Sequence, residues 1–291
     1  MKVHLVDGTY ELFRNHFGAP PRKGADGREV GATVGLLRSM SFLISTPGVT
    51  HVACAFDHVI ESFRNELFPG YKTGTGVPAD LLAQFSLAER PVAALGMVVW
   101  SMVEFEADDA LATGTARFKD QPGVEQVVIC SPDKDLTQLV RGATVVVWDR
   151  RRDIVLDENG VVEKFGVGPQ SIPDWLALVG DAADGYPGIP GWGAKSAAAV
   201  LSRFEHLESI PEDAGQFGLP LGRASSLAAG LAAHREEAFQ YRLLARLRDD
   251  VPLEEELADL EWRGVTADLP GVCRELGDEG LAGRLAPRRE L

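Results

Sequence analysis

The chain lacks the positive charge of a protein that coats nucleic acid by electrostatics alone. Its 291 residues carry 29 Lys+Arg against 43 Asp+Glu, a formal net charge of -14. An acidic balance weakens non-specific attraction to phosphate. Cysteine is scarce too. Cys54, Cys130 and Cys273 are odd in number and form no CxxC. They read as buried thiols, which excludes a disulfide framework or a zinc site. No HExxH pair occurs among the six scattered histidines. No apolar stretch approaches the roughly 18 residues of a membrane helix. Met1–Asp7 reads as a short strand, without a signal-peptide core. No repeat or low-complexity segment is visible. The expectation is a cytoplasmic monomer with no membrane association.

What is present is an ordinary globular composition: 45% of residues are hydrophobic and 25% charged, which excludes disorder. The length admits one large domain or two smaller ones. Up to about residue 160, strand-like and helix-like segments alternate. The predicted strands are Val3–Val6, Val52–Phe56, Met97–Met102, Val127–Cys130 and Val145–Trp148, each a continuous apolar run. Strands buried on both faces of a parallel sheet have this look. Predicted helices lie near 32–45, 80–95, 107–119 and 135–141, so the first half reads as a doubly wound α/β domain. From Gln170 onward the chain reads as helices separated by Gly/Pro turns. A helical stretch at Ser225–Leu247 carries Arg235, Arg242 and Arg246, with Arg248 just beyond.

The placement of acids is the informative feature. Asp7 ends the first predicted strand and Asp57 the second. Glu106, Asp108 and Asp109 follow the third in FEADDAL, and Asp133 and Asp135 follow the fourth in SPDKDL. The carboxyl ends of parallel strands form a ligand crevice, so seven acids are expected to converge on one edge. Like charges held together raise each other's pKa and oppose folding. Hard oxygen ligands for Mg²⁺ or Mn²⁺ are the usual remedy, and two such ions can drive phosphodiester hydrolysis. Any one of these acids, Asp108 or Asp135 included, reads equally well as a helix cap. Seven at four successive strand ends do not.

Asp181 and Asp184 form a further pair in GDAADGYPG, three apart as on one face of a helical turn. The following GIPGWGAKS is one residue too long for a P-loop, with Gly188, Gly193, Lys195 and Ser196 in its key places, and no strand precedes it. It fits GxGxxG poorly, because Ser196 stands where the third glycine belongs. A helix–hairpin–helix explains it better. Glycines such as Gly191 let the backbone approach a phosphate, and the next helix offers its N-terminal N–H groups. The bland alternative is an ordinary interhelical turn. A third constellation joins Ser62-Phe63-Arg64 to Gly70-Tyr71-Lys72. Arg64 and Lys72 suit a substrate phosphate and Tyr71 suits a base, although each alone reads as an ordinary surface residue.

The ordered set VDGTYELFR (Asp7, Arg14), AFD, SFRNE, GYK, FEADD, SPDKDL, GDAADGYPGIPGWGAKSA and LLARLRDDVPL spans about residues 3–264. It resembles the 5′→3′ exonuclease/flap endonuclease family, in particular the N-terminal nuclease domain of bacterial DNA polymerase I. The resemblance implies a PIN-like (resolvase-like) α/β domain with a mostly parallel central sheet over 1–165. A helix–three-turn–helix DNA-binding domain over 166–264 and an acidic extension over 265–291 would follow. It implies two divalent ions, Mg²⁺ or Mn²⁺. One is associated with Asp7, Asp57, Glu106, Asp108 and Asp109, the other with Asp133, Asp135, Asp181 and Asp184. It further implies that Arg64 and Lys72 contact the scissile phosphate. Arg14, Tyr71, Gly188, Gly191, Gly193, Lys195 and Ser196 would serve DNA, with K⁺ at the hairpin turn. The substrates implied are DNA with a 5′ flap, nick or free 5′ end, and RNA–DNA hybrids, cut to leave 5′-phosphate and 3′-hydroxyl. Base identity would go largely unread.

Some positions depart from the family pattern. Thr75 stands where a basic residue is usual, and Gly74 and Gly76 flank it, so an arch over the single strand is expected to be reduced or flexible. Ala183-Asp184-Gly185 replaces a usual Ser-Asp-Asn. The chain stops near where a polymerase I would continue, which reads as a stand-alone nuclease. Two competing readings are a DNA-structure-binding protein with a weakened active site and an RNase of the wider PIN class. The acidity can then be placed. Residues 249–291 hold 12 acids against 5 arginines, half of the net charge, and nine of the other acids are the motif carboxylates. The remaining body is close to neutral, and the acidic tail reads as a solvated surface.

Overall fold

The computed structural model describes residues 1–285, so residues 286–291 of the expected acidic extension lie outside the described residues. The strands are β1 (Lys2–Asp7), β2 (His51–Asp57), β3 (Val98–Met102), β4 (Gln126–Cys130), β5 (Val145–Asp149) and β6 (Ile154–Leu156). The helices are α1 (Gly8–Gly18), α2 (Gly31–Ile44), α3 (Arg64–Leu67), α4 (Ala79–Leu82), α5 (Phe85–Ala94), α6 (Ala107–Phe118) and α7 (Glu158–Phe165). They continue as α8 (Ile172–Val179), α9 (Ala194–Phe204), α10 (Leu221–Ala233), α11 (Arg235–Ala245), α12 (Leu269–Glu275) and α13 (Glu279–Ala282). These elements form two compact units that do not follow chain order. Unit one takes Met1–Ser62, Thr73–Ser131 and the segment from Arg248 onward; unit two takes Phe63–Lys72 and Pro132–Leu247.

Unit one is built on parallel strands in the order β3-β2-β1-β4. Every residue of β1 after Lys2 is buried, as is every residue of β2 after His51. That is why these strands read as continuous apolar runs: both faces are covered. Leu5 pairs with Ala53 on one side and Ile129 on the other. The chain steps outward from β1 to β3, then returns to the other side of β1 for β4. The strand order therefore reverses between β1 and β4, where an α/β sheet opens its crevice. The sequence did not signal α1, whose first turn is set by Asp7 accepting the Tyr10 N–H at 2.8 Å. The helix expected over 80–95 is two helices. Between them the buried Gln84 side chain accepts the Thr33 N–H at 3.0 Å and returns its own N–H to Asp80 O. Just before α4, where a longer arch was in question, the Val77 N–H closes a turn on Gly74 O at 3.2 Å.

The segment after Arg248 is no loose acidic surface. Leu260, Val265, Leu269, Val272, Cys273 and Leu276 are buried. The Trp262 N–H bonds Thr50 O at 2.7 Å and its indole N–H bonds Leu95 O at 2.8 Å. Glu255 accepts the Trp100 indole N–H at 2.9 Å. The expectation of a solvated tail is corrected over the described residues: its apolar residues are too regularly interspersed to stay in water.

Unit two is mostly helical, with β5 and β6 antiparallel. The helix expected over 135–141 is a short 3₁₀ turn, Asp135–Leu139. The stretch expected as one helix over 225–247 breaks at His234 into α10 and α11. α8 is buried almost all round, as its apolar sequence requires. Its single acid, Asp174, is 1% exposed and accepts Arg242 Nη1 at 3.0 Å, His206 Nδ1 at 3.0 Å and the Leu207 N–H at 3.1 Å. Arg242 also grips the exposed Glu208 at 2.6 and 2.7 Å. This pins α11 and the 207–209 turn to α8, and it occupies one of the basic residues noted in that helical stretch. Removing a partner from a buried pair strands the rest in a poor solvent. Asp174→Ala is expected to lower unfolding free energy by about 2–4 kcal/mol, against less than about 1 for Glu208→Ala. Urea titration of the two variants checks the contrast.

Candidate functional site

The nine motif acids divide between the units. In unit one, Asp7 and Asp57 stand at the carboxyl ends of β1 and β2, each 5% exposed. Ser131, just after β4, donates its hydroxyl to Asp7 Oδ2 at 2.8 Å, across the point where strand order reverses. Asp57 Oδ1 accepts the Ala107 N–H at 2.7 Å, which ties the start of α6 to β2. Glu106 and Asp109 form a capping box at that helix start. Glu106 also accepts the Ser62 hydroxyl at 2.7 Å. Asp109 is wholly buried, and its two oxygens accept backbone N–H groups from Glu106 at 3.0 Å and Arg248 at 2.9 Å. The cap is thus Asp109 with Glu106, while Asp108 is half-buried on the first turn.

In unit two, Asp135, Asp181 and Asp184 bring one carboxylate oxygen each within 4.8 Å of one another. Two local devices set this up. The 3₁₀ turn starting at Asp135 buries that residue, with Asp133 Oδ1 accepting the Asp135 N–H at 2.9 Å. The Asp181–Tyr186 loop closes on itself through paired backbone bonds at 2.9 and 3.1 Å, presenting Asp181 and Asp184. Asp135 Oδ1 is buried without a hydrogen-bond partner. Burial, then the charges of Asp133 and Asp184, push the Asp135 pKa well above the carboxylate range. Lys134 Nζ bonds Asp181 Oδ2 and lies 3.5 Å from Asp135 Oδ1. Burial opposes its charge, but the surrounding Asp135, Asp181 and Asp133 outweigh that and hold its pKa up. Beneath them Tyr186 stacks on Tyr241 at 5.6 Å, its phenol pKa raised by burial and then by these acids. Hard oxygens, a net negative set and an orphaned buried oxygen are the donor chemistry of a Mg²⁺ or Mn²⁺ site.

The hairpin between α8 and α9 follows at once. Gly188 has φ +71°, and a Cβ there would lie 2.4 Å from Gly180 N, so glycine is required for the two backbones to cross. Gly191 has φ +85° with open space where a Cβ would stand. Gly193 caps α9 without any side-chain hydrogen bond, leaving that helix start to other acceptors. Lys195 is exposed beside it. Ser196 was expected to reach phosphate but is 2% exposed and accepts Arg223 Nη2 at 2.8 Å. Gly188 and Ser196 therefore build the turn from inside.

The remaining candidates are placed as follows. Lys72 comes next to the triad's loop, its backbone N–H on Asp184 O at 3.0 Å. Tyr71 is 3% exposed, so its ring has no open face for a base. Arg64 is 1% exposed and donates to Leu244 O at 2.8 Å and Arg246 O at 3.1 Å, holding the end of α11. In unit one, Arg14 is fixed on Glu11 Oε2 and Ser39 Oγ at 2.5 and 2.9 Å. Sequence reasoning passed over Ser131, Lys134 and Arg223. The first two lay inside the quoted SPDKDL, where a lysine flanked by two aspartates was the available signal. For Arg223, in a Gly-rich stretch, there was none.

Residues 2–166 match the family model of the 5′-3′ exonuclease N-terminal resolvase-like domain, and residues 167–268 that of the 5′-3′ exonuclease C-terminal SAM fold. The class is therefore a nuclease with a resolvase-like domain joined to a SAM-fold domain. A 5′-3′ exonuclease of Aquifex aeolicus is 32% identical over 296 residues, covering 96% of this chain and 99% of that one. DNA polymerase I of Pseudomonas aeruginosa is 34% identical over 306 residues, covering 96% of this chain but 32% of that protein. The chain thus spans about a third of that polymerase's length. The chain belongs to the 5′-3′ exonuclease family. The fold is shared with T5 D15 flap endonuclease in a pseudo-enzyme-product complex with DNA and metal ions, with a TM-score of 0.66 and 18% identity over 97% of this chain and 96% of that one. Among the described residues no helix is long and apolar enough to cross a membrane.

Because Gly188 is jammed and Gly191 is open, their alanine variants should differ. Gly188→Ala is expected to lose about 2–4 kcal/mol and Gly191→Ala about 1, as read by urea unfolding in EDTA.

Proposed function

We propose that the chain is a metal-dependent, structure-specific 5′ nuclease acting on DNA with a 5′ flap, nick or free 5′ end, and on RNA primers paired to DNA. The observation that carries this is the buried Asp135 oxygen with no hydrogen-bond partner, inside a triad of carboxylates. Buried polar atoms are seldom left unmatched, and a cation held by the triad is the partner that would complete this one. Asp135, Asp181 and Asp184, with Asp133 beside them, would hold one Mg²⁺ or Mn²⁺. Asp7, Asp57, Glu106 and Asp108 would hold another, with Asp109 fixing the helix start that carries Glu106 and Asp108. Bound divalent ions supply Lewis-acid polarisation of the phosphate, an acidified water and charge compensation at the leaving oxygen.

The chain's own residues do the rest. Lys72, held beside the Asp184 loop, supplies a cation to the scissile phosphate. Arg64 acts from behind it by fixing the 63–72 segment. Gly191, Gly193, the start of α9 and Lys195 take the phosphate backbone of duplex DNA, with K⁺ at the turn. Water attacks phosphorus in line and the 3′-oxygen departs, leaving a 5′-phosphate and a 3′-hydroxyl. A domain of residues 1–165 carrying most of the carboxylates, with 166–264 gripping DNA, is the division of labour that follows. The acidity of the chain predicts modest affinity with a steep salt dependence.

Incubation of the pure protein with Mg²⁺ and 5′-flap, nicked or single-stranded DNA tests the reading. Cleavage is expected with flap and nick, and none in EDTA. Asp135→Asn and Asp108→Ala should each reduce the single-turnover rate at least about 10³-fold with DNA binding retained, and Lys72→Ala about 10²-fold. Wild-type rates in both acid variants would end the proposal.

A further inference from the structure

We propose that Lys134 is a built-in counter-ion of the unit-two acid triad, which occupies the ion's electrostatic place and is displaced when a divalent ion binds. The inference rests on the reading of Asp135, Asp181 and Asp184 as a divalent-ion site. Lys134 lies in sequence between two of the acids, Asp133 and Asp135. Its ammonium bonds Asp181 Oδ2 and stands 3.5 Å from Asp135 Oδ1, so it spans two members of the triad. It is one charge among carboxylates that an ion of charge two would also claim. An ammonium and a divalent cation cannot share the same two oxygens: like charges about 3 Å apart repel strongly in a partly buried site.

The match of ammonium to triad is incomplete. The Lys134 head hydrogen-bonds Asp181 but leaves Asp135 Oδ1 without a hydrogen bond. A point charge on a flexible stem can compensate charge without satisfying every lone pair. It can also leave. The Lys134 side chain is 35% exposed while Asp135 and Asp181 are 9% and 6% exposed, so the head has a route to water that the carboxylates lack. Two consequences follow. Without an ion, the buried carboxylates stay paired and the 3₁₀ turn and the 181–186 loop keep their shape. With an ion, binding has to work against an existing ion pair, so affinity at this site is lowered by the cost of breaking that pair.

The test is Mn²⁺ binding to the full chain, followed by the free-ion electron paramagnetic resonance signal, together with melting temperature in EDTA and in Mn²⁺. Lys134→Met is expected to bind Mn²⁺ about tenfold more tightly at one site, the size of a partly buried ion pair. It should melt lower than wild type in EDTA and at or above wild type in Mn²⁺. The paired variant Lys134→Met/Asp181→Asn removes both partners. It should melt near wild type in EDTA and lose the tightened binding, which keeps the test open if the single variant folds poorly. Unchanged or weaker Mn²⁺ affinity in Lys134→Met, beside normal wild-type binding, overturns the role of the lysine. An Asp135→Asn protein that binds as many Mn²⁺ ions as wild type overturns the ion site itself, and the lysine's role with it.

Discussion

The constraint on which this structure turns is the burial of carboxylates that water would otherwise stabilise. A buried acid must be given donors, a cation or a proton. Unit one uses donors. Asp7, Asp57, Glu106 and Asp109 accept hydrogen bonds from Tyr10, Ser131, Ala107, Ser62, Glu106 and Arg248. Several of those bonds are also the ones that start α1 and α6, so the acids and the helix starts specify each other. Unit two uses a cation. Asp181 is paired with Lys134, and one Asp135 oxygen accepts no hydrogen bond although the Lys134 ammonium stands 3.5 Å away. The same chemical problem is met mainly by donors in one place and left partly open in the other, and under the proposed function a divalent ion would complete both sets.

Topology explains why the acids fall where they do. Parallel strands put all their carboxyl ends on one edge, so successive strand-end residues become neighbours although they are tens of residues apart. The Asp7–Ser131 bond, across the reversal of strand order, is the direct expression of that rule. In unit two the working parts are consecutive. α8 ends at Gly180, the Asp181–Tyr186 loop displays two acids, and the turn through Gly188 and Gly191 delivers the open start of α9. A buried helix with one well-satisfied acid, Asp174, is the rigid support that such a display needs.

Much of this was legible in the sequence. The parallel strands declared themselves as apolar runs because each is covered on both faces. The acids declared themselves by standing at the ends of those runs, and the hairpin by its glycines. What was not legible depends on partners remote in sequence. Tyr71 and Ser196 looked like ligands because their exposure cannot be read from a motif, and both are buried. Arg64 looked like a phosphate clamp, but its guanidinium holds carbonyls some 180 residues away. Asp109 looked like a metal ligand and is also a full backbone cap. α1 was missed because its start signal, Asp7, had already been read as a strand end. The acidic tail was misjudged because net charge masked the regular apolar residues that bury it.

The central account is that these acids are arranged for divalent ions. Anomalous diffraction from crystals of the protein soaked in Mn²⁺ tests this most directly. The account predicts one peak coordinated by Asp135, Asp181 and Asp184, and another on the set of Asp7, Asp57, Glu106 and Asp108. Ordered Mn²⁺ elsewhere, with no peak within bonding distance of the Asp135 triad, would contradict it.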